Sequence, residues 1–121
     1  MKITIHDRFD FIEIQLSTKE KILSFHGSFA NIPINSIKKV STSTPKSSWN
    51  DIKLPGTDIG FFKAGTFITS RGTEFWCVYK RKSRSYLVIE LKDHRYARII
   101  LTTDENNEIK NKIEAILGKK K

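Results

Sequence analysis

"FFKAGTFITSRGTEFWCVYKRKSRSYLVIELKDHRYARIILT", residues 61–102, decides the fold. Four runs within it, 61–69, 73–79, 86–92 and 95–102, are rich in β-branched and aromatic residues, the composition of strands. The joins between them are short: 70–72, the basic segment 80–85, and Asp93 with His94. Strand-like runs joined this closely form a meander. Beyond residue 103 the apolar period changes. Ile109, Ile113, Ile116 and Leu117 recur at helical spacing over 104–117, Asp104, Glu105 and Glu108 occupy the first turns, and Gly118 follows the last apolar residue. That is an amphipathic helix with caps and charges that suit its dipole.

Upstream, residues 2–5 and 10–16 alternate in the same way and read as one long first strand bent near Asp7 and Arg8, with Ile12, Ile14 and Leu16 on one face. Ser17, Thr18, Lys19 and Glu20 have the spacing of a capping box, which predicts a single helical or tight turn. A second strand is expected at 22–29 and a third at 37–43. Between them Pro33, which cannot donate a ladder hydrogen bond, fits an edge or a bend. Residues 44–58, with Pro45, Trp49, Pro55 and Gly56, read as the longest irregular segment, pinned to the body by the Trp49 ring. The expectation from the residues is a mainly β protein of seven antiparallel strands whose sheet pairs with a second sheet or closes on itself, with the C-terminal α-helix covering an open end, because neither the sheet face nor the helix stripe can be left bare. Residues 1–118 form one domain and 119–121 a basic tail.

Composition narrows the functional classes. The chain has 121 residues, one cysteine and a formal charge of +9. Of that excess, Lys80, Arg81, Lys82 and Arg84 supply four charges and Lys119, Lys120 and Lys121 three, so the rest of the chain is close to neutral. Proteins that track a nucleic-acid backbone spread their cations along a face, which makes nucleic acid a less favoured partner. No apolar run approaches the roughly 20 residues that span a bilayer, so a cytoplasmic protein is expected, with association to an anionic membrane surface as the alternative. Cys77 lies in an apolar run and reads as a buried thiol.

Several stretches resemble the small bacterial pleckstrin homology (PH)-like family of uncharacterised function: "PGTDIGFFKAGTF" (55–67), "GTEFWCV" (72–78), "VIELKDHRYARIIL" (88–101) and, upstream, "IPINSI" (32–37). The order of seven strands and one C-terminal helix is also that of the PH fold, so the resemblance implies a seven-stranded antiparallel barrel of two orthogonal sheets capped by the C-terminal α-helix. The resemblance implies a non-enzymatic binding module. Phosphoinositide-binding PH domains carry closely spaced arginines after the first strand, whereas this chain has "LSTKEKILSF" (16–25), with Lys19 and Lys21 and no arginine. A second site known in some PH domains, between that loop and the one joining strands five and six, corresponds to Lys80, Arg81, Lys82 and Arg84.

The candidate site is therefore an anion or lipid site made of Lys80, Arg81, Lys82, Arg84, Lys19 and Lys21, set against the plainer reading of a solvated turn whose charges discourage edge pairing. Tyr79 and Tyr86 flank the segment and would be the stacking residues if the ligand were single-stranded nucleic acid. No catalytic residue, metal or cofactor is expected. His6, His26 and His94 have no metal-pair spacing, Asp93 to Arg95 read as turn residues, and Glu13, Glu74 and Glu90 fall on separate strands at positions that read as surface. Gly65 is expected to permit a bulge or close backbone approach, and Gly72 to supply the left-handed position of a hairpin. The leading expectation is contact with an unknown protein partner or a second copy through an exposed strand edge, with Pro33 and Gly65 as marks of such edges.

Overall fold

A computed structural model describes residues 2–6, 10–24, 27–43, 52–59, 62–69, 71–79 and 85–119. The expected first strand is two. β1 (Lys2–His6) and β2 (Phe11–Gln15) pair antiparallel, with Ile3 opposite Ile14 and Ile5 opposite Ile12. A period of two fits a bent strand and a hairpin equally well. Here Asp10 takes a left-handed φ of 57° at the reversal, a conformation that aspartate tolerates better than most residues.

The capping box forms in full: the Ser17 amide donates to Glu20 Oε1 at 2.8 Å and the Glu20 amide to Ser17 Oγ at 3.2 Å. It starts a longer helix than a single turn. α1 (Thr18–Ser24) takes the first residues of the expected second strand, and β3 (Phe29–Pro33) begins only after it. Caps of this kind are worth about 1 kcal/mol, enough for local chemistry to prevail over a short β-like run. A 3-10 turn, Ile34–Ser36, leads into β4 (Ile37–Ser41).

The remaining elements are β5 (Ile52–Ile59), β6 (Phe62–Thr69), β7 (Gly72–Tyr79), β8 (Tyr86–Leu91), β9 (Arg98–Thr102) and α2 (Asn106–Lys119). Among the described residues there are thus nine strands rather than seven, in a three-stranded sheet β1-β2-β3 and a six-stranded sheet β4-β8-β9-β7-β6-β5. They do not close into a barrel. Nor is the chain from β6 to β9 a meander: β9 inserts between β7 and β8 and runs parallel to β7, which makes the large sheet mixed. β5 corrects the expectation of irregular chain at 52–58. It sits at the outer edge of its sheet and its register slips between Lys53 and Gly56, across Pro55, so the missing proline donor interrupts no central ladder. Trp49, expected to pin that segment, lies outside the described residues.

The main core lies between the two sheets. Ile12, Ile14, Ile32 and Ile34 meet Phe75, Cys77, Leu87, Ile89, Ile99 and Leu101, and α2 adds Ile109 and Ile113, with Ile116 and Leu117 half-buried beside them. The helix stripe read from sequence is the stripe that is buried. Asn106 ties its first turn down, donating from Nδ2 to the Tyr86 carbonyl at 2.9 Å. Gly72 has φ 121°, and a Cβ there would stand 3.2 Å from that of Ala97.

Phe75 and Trp76 point to opposite faces and are both buried, 0% and 4% exposed. Phe75 enters the main core. Trp76 belongs to a second cluster on the other face of the large sheet, with Phe67, Val78, Val88 and Ile100. On that face Glu74 corrects its reading as a surface residue: it is fully buried, receives hydrogen bonds from Arg98 Nε and Nη2 (the latter 3.0 Å), and also accepts from Trp76 Nε1 at 3.1 Å. Gly65 stands opposite Trp76 in register and takes φ 140°, leaving room for the Lys63 ammonium to lie 3.8 Å from the Trp76 ring centroid. The β6–β7 register is unbroken there, so Gly65 marks a close approach inside the sheet and not an edge.

Candidate functional site

Of the six cations read as an anion site, Lys80, Arg81, Lys82 and Arg84 lie outside the described residues. The flanks of that segment are described. Tyr79 donates its amide to Thr102 Oγ1 at 3.0 Å and Thr103 donates to the Ser85 carbonyl at 2.9 Å, so both ends are fastened at the C-terminal end of β9. Because β9 separates β7 from β8, residues 80–84 do not join neighbouring strands.

Lys19 and Lys21 are exposed on α1, on either side of Glu20, which is 2% exposed. The Glu20 carboxylate reaches inward and accepts from the Tyr79 hydroxyl at 3.4 Å. Burial first, and then the Glu20 charge, push the Tyr79 phenol above its ordinary range. Since Tyr79 directly precedes Lys80, this contact sets α1 and its two lysines beside the chain as it enters the basic segment. The Tyr79 ring packs on Phe62, with centroids 4.7 Å apart, and Tyr86 packs against the second cluster. Both rings are half-buried, each packed against the body on one side.

Two grooves flank α2, and sequence reasoning identified neither. Between β1 and α2 a groove of about 550 Å³ is lined by Ile3, Thr4, Ile5, Glu105, Ile109, Lys112, Ala115 and Ile116. β1 is an outer strand: β2 holds one of its edges and, among the described residues, no strand holds the other. Between β4 and the C-terminal end of α2 a second groove of about 490 Å³ is lined by Asn35, Ile37, Lys38, Lys39, Val40, Lys92, Glu114, Leu117 and Gly118. The only sequence signal for either was alternation in 2–5 and the paired lysines in "IKKV", each of which fits an ordinary strand.

Of the nucleophile, acid–base and metal candidates, His26 lies outside the described residues, while Cys77, His94 and His6 are placed. Burial, helped by the nearby Glu20 charge, raises the Cys77 thiol to about 12, the opposite of an activated thiolate. His94 accepts the Tyr96 amide on Nδ1 at 3.1 Å, and burial lowers its pKa. It lies in the turn read for Asp93 to Arg95, with Asp93 at φ 52°. His6 stacks on Phe11 and contacts Glu13 at 3.2 Å. Among the described residues, no three of His, Cys, Asp and Glu are grouped to hold a metal ion, and no helix is long and apolar enough to cross a membrane.

A family model described as bacterial PH domain matches residues 13–116. No curated protein and no solved structure matched the chain. The match takes in part of β2, all of α1, β3 to β9 and most of α2, and leaves β1 upstream of it.

Proposed function

We propose, from the premise that this chain belongs to the bacterial PH domain family, that it is a non-enzymatic binding module taking an extended polypeptide segment along the free edge of β1. The observation that carries this reading is the placement of α2. An outer strand presents a row of backbone donors and acceptors, and here a helix borders β1 with Ile109, Ala115 and Ile116 among the charged Glu105 and Lys112, so an added strand gains ladder hydrogen bonds on one side and partial burial on the other. β1 lies upstream of the matched residues, so the family match does not extend to this edge.

Selection from a library of extended peptides, followed by amide exchange on the complex, tests the proposal. The expected result is slowed exchange in β1, Lys2–His6, and loss of binding in an Ala115→Arg variant, whose exposed helical position accepts arginine without disturbing the core. Slowed exchange elsewhere, with β1 unchanged, would remove the proposal. A second copy as the occupant would appear instead as concentration-dependent dimerisation abolished by the same variant.

A second reading is weak peripheral binding to anionic phospholipid through Lys80, Arg81, Lys82 and Arg84 with Lys19 and Lys21. The Glu20–Tyr79 contact supports it by setting α1 beside the entrance to the basic segment. Each cation near an anionic leaflet is worth about 1 kcal/mol. Co-sedimentation with anionic vesicles is therefore expected to fade between low and physiological salt and to disappear when the four residues at 80, 81, 82 and 84 are Ser. Absence of binding at low salt would exclude it.

A further inference from the structure

The groove between β4 and α2 has a charge pattern that the proposal for β1 does not use. β4 carries one extra residue against β8: Ile37 stands opposite Leu91 and Lys39 opposite Glu90, its immediate neighbour, so Lys38 is a bulge. The bulge changes which side chains face out. Ile37 and Val40 both turn inward, while Lys38 and Lys39, adjacent in sequence, are both exposed, which an unbroken strand does not allow. Lys92 joins them because its amide donates to the Ser36 carbonyl at 2.8 Å, tying the β8–β9 turn to the start of β4. Among the described residues none of the three lysines forms an ion pair, although Glu90 stands opposite Lys39 in register. Glu114, the one acid lining the groove, has its carboxylate 3.3 Å from Lys110.

We infer that this groove is a second docking site and that its occupant is an acidic, extended polypeptide segment. β4 is the outer strand at its end of the large sheet, and among the described residues no strand pairs with its backbone on the side away from β8. The three uncompensated ammonium groups supply the charge complement. Shape decides against a lipid surface: a recess between a strand and the end of a helix admits a single chain, whereas a plane of headgroups meets protruding cations. The plainer role of edge lysines is to repel other strands. That role needs cations along the outer strand, but it does not account for Lys92, brought to the same groove from another turn.

The test uses the full chain and a fluorescently labelled peptide of alternating Glu and Val, about six residues long to match a strand, read by anisotropy at low and physiological salt. Salt-sensitive binding is expected, weakened roughly tenfold or more by Lys38→Glu, Lys39→Glu and Lys92→Glu together. A milder triple replacement by Gln, which keeps the side-chain length, should give a smaller loss in the same direction. Ala115→Arg and the Ser replacements at 80, 81, 82 and 84 should leave this binding unchanged, which separates it from the β1 site and the basic segment. Equal binding by the charge-reversed chain, loss through the 80–84 replacements, or no binding at low salt would overturn the inference. So would a chain whose lysine groove serves only anionic vesicles, or self-assembly through the acidic residues of 104–108.

Discussion

Replacing Arg98 by Met is expected to destabilise the protein by about 3–5 kcal/mol, lowering Tm by roughly ten to twenty degrees in a domain of this size. The loss comes from what remains behind. Glu74 is fully buried and its two oxygens take hydrogen bonds from Arg98 Nε and Nη2, with Trp76 Nε1 sharing one of them. Without the guanidinium the carboxylate stays buried beside the second cluster and loses both hydrogen bonds of its ion-pair partner. Removing both members, Glu74→Met with Arg98→Met, is expected to recover most of the loss, because the desolvation cost leaves with the pair. Thermal unfolding of the two single variants and the double variant measures this. A double variant as unstable as Arg98→Met would show that the pair stabilises the fold in its own right.

Phe75→Ala is expected to cost about 3–5 kcal/mol by opening a cavity where the two sheets meet. The ring lies 5.0 Å from Phe29 and 6.3 Å from Tyr96, edge to face in both cases, so it joins the small sheet, the large sheet and the β8–β9 turn. Urea unfolding should show a lowered midpoint with an unchanged slope. A loss under 1 kcal/mol would mean that the neighbouring rings close over the space.

The elements that were legible are those whose local pattern has one solution. The stripe on α2, the four strands from residue 62 to 102 and the capping box at Ser17 all stand where their residues place them. Pairing was not legible, because alternation assigns a residue to a face and says nothing about which strand lies alongside. The meander reading failed at β9, whose neighbour β7 precedes it by a full strand and two connections. Glu74 read as surface because its counter-ion comes from that same unanticipated neighbour, Arg98. The lysine groove was hidden by the bulge at Lys38, since regular alternation assigns Lys38 and Lys39 to opposite faces.

The insertion of β9 also has a meaning for how the chain is made. A sheet whose strands pair in the order of their synthesis can grow as the polypeptide leaves the ribosome. In this one the strand that joins β7 to β8 is the last of the nine described strands to emerge, so the larger sheet remains in two parts, β4 with β8 and β5-β6-β7, until residue 102 has been released. The large sheet is completed only once β9 is available, and a chain stopped before β9 carries two bare central edges, the surfaces by which nascent β proteins capture one another.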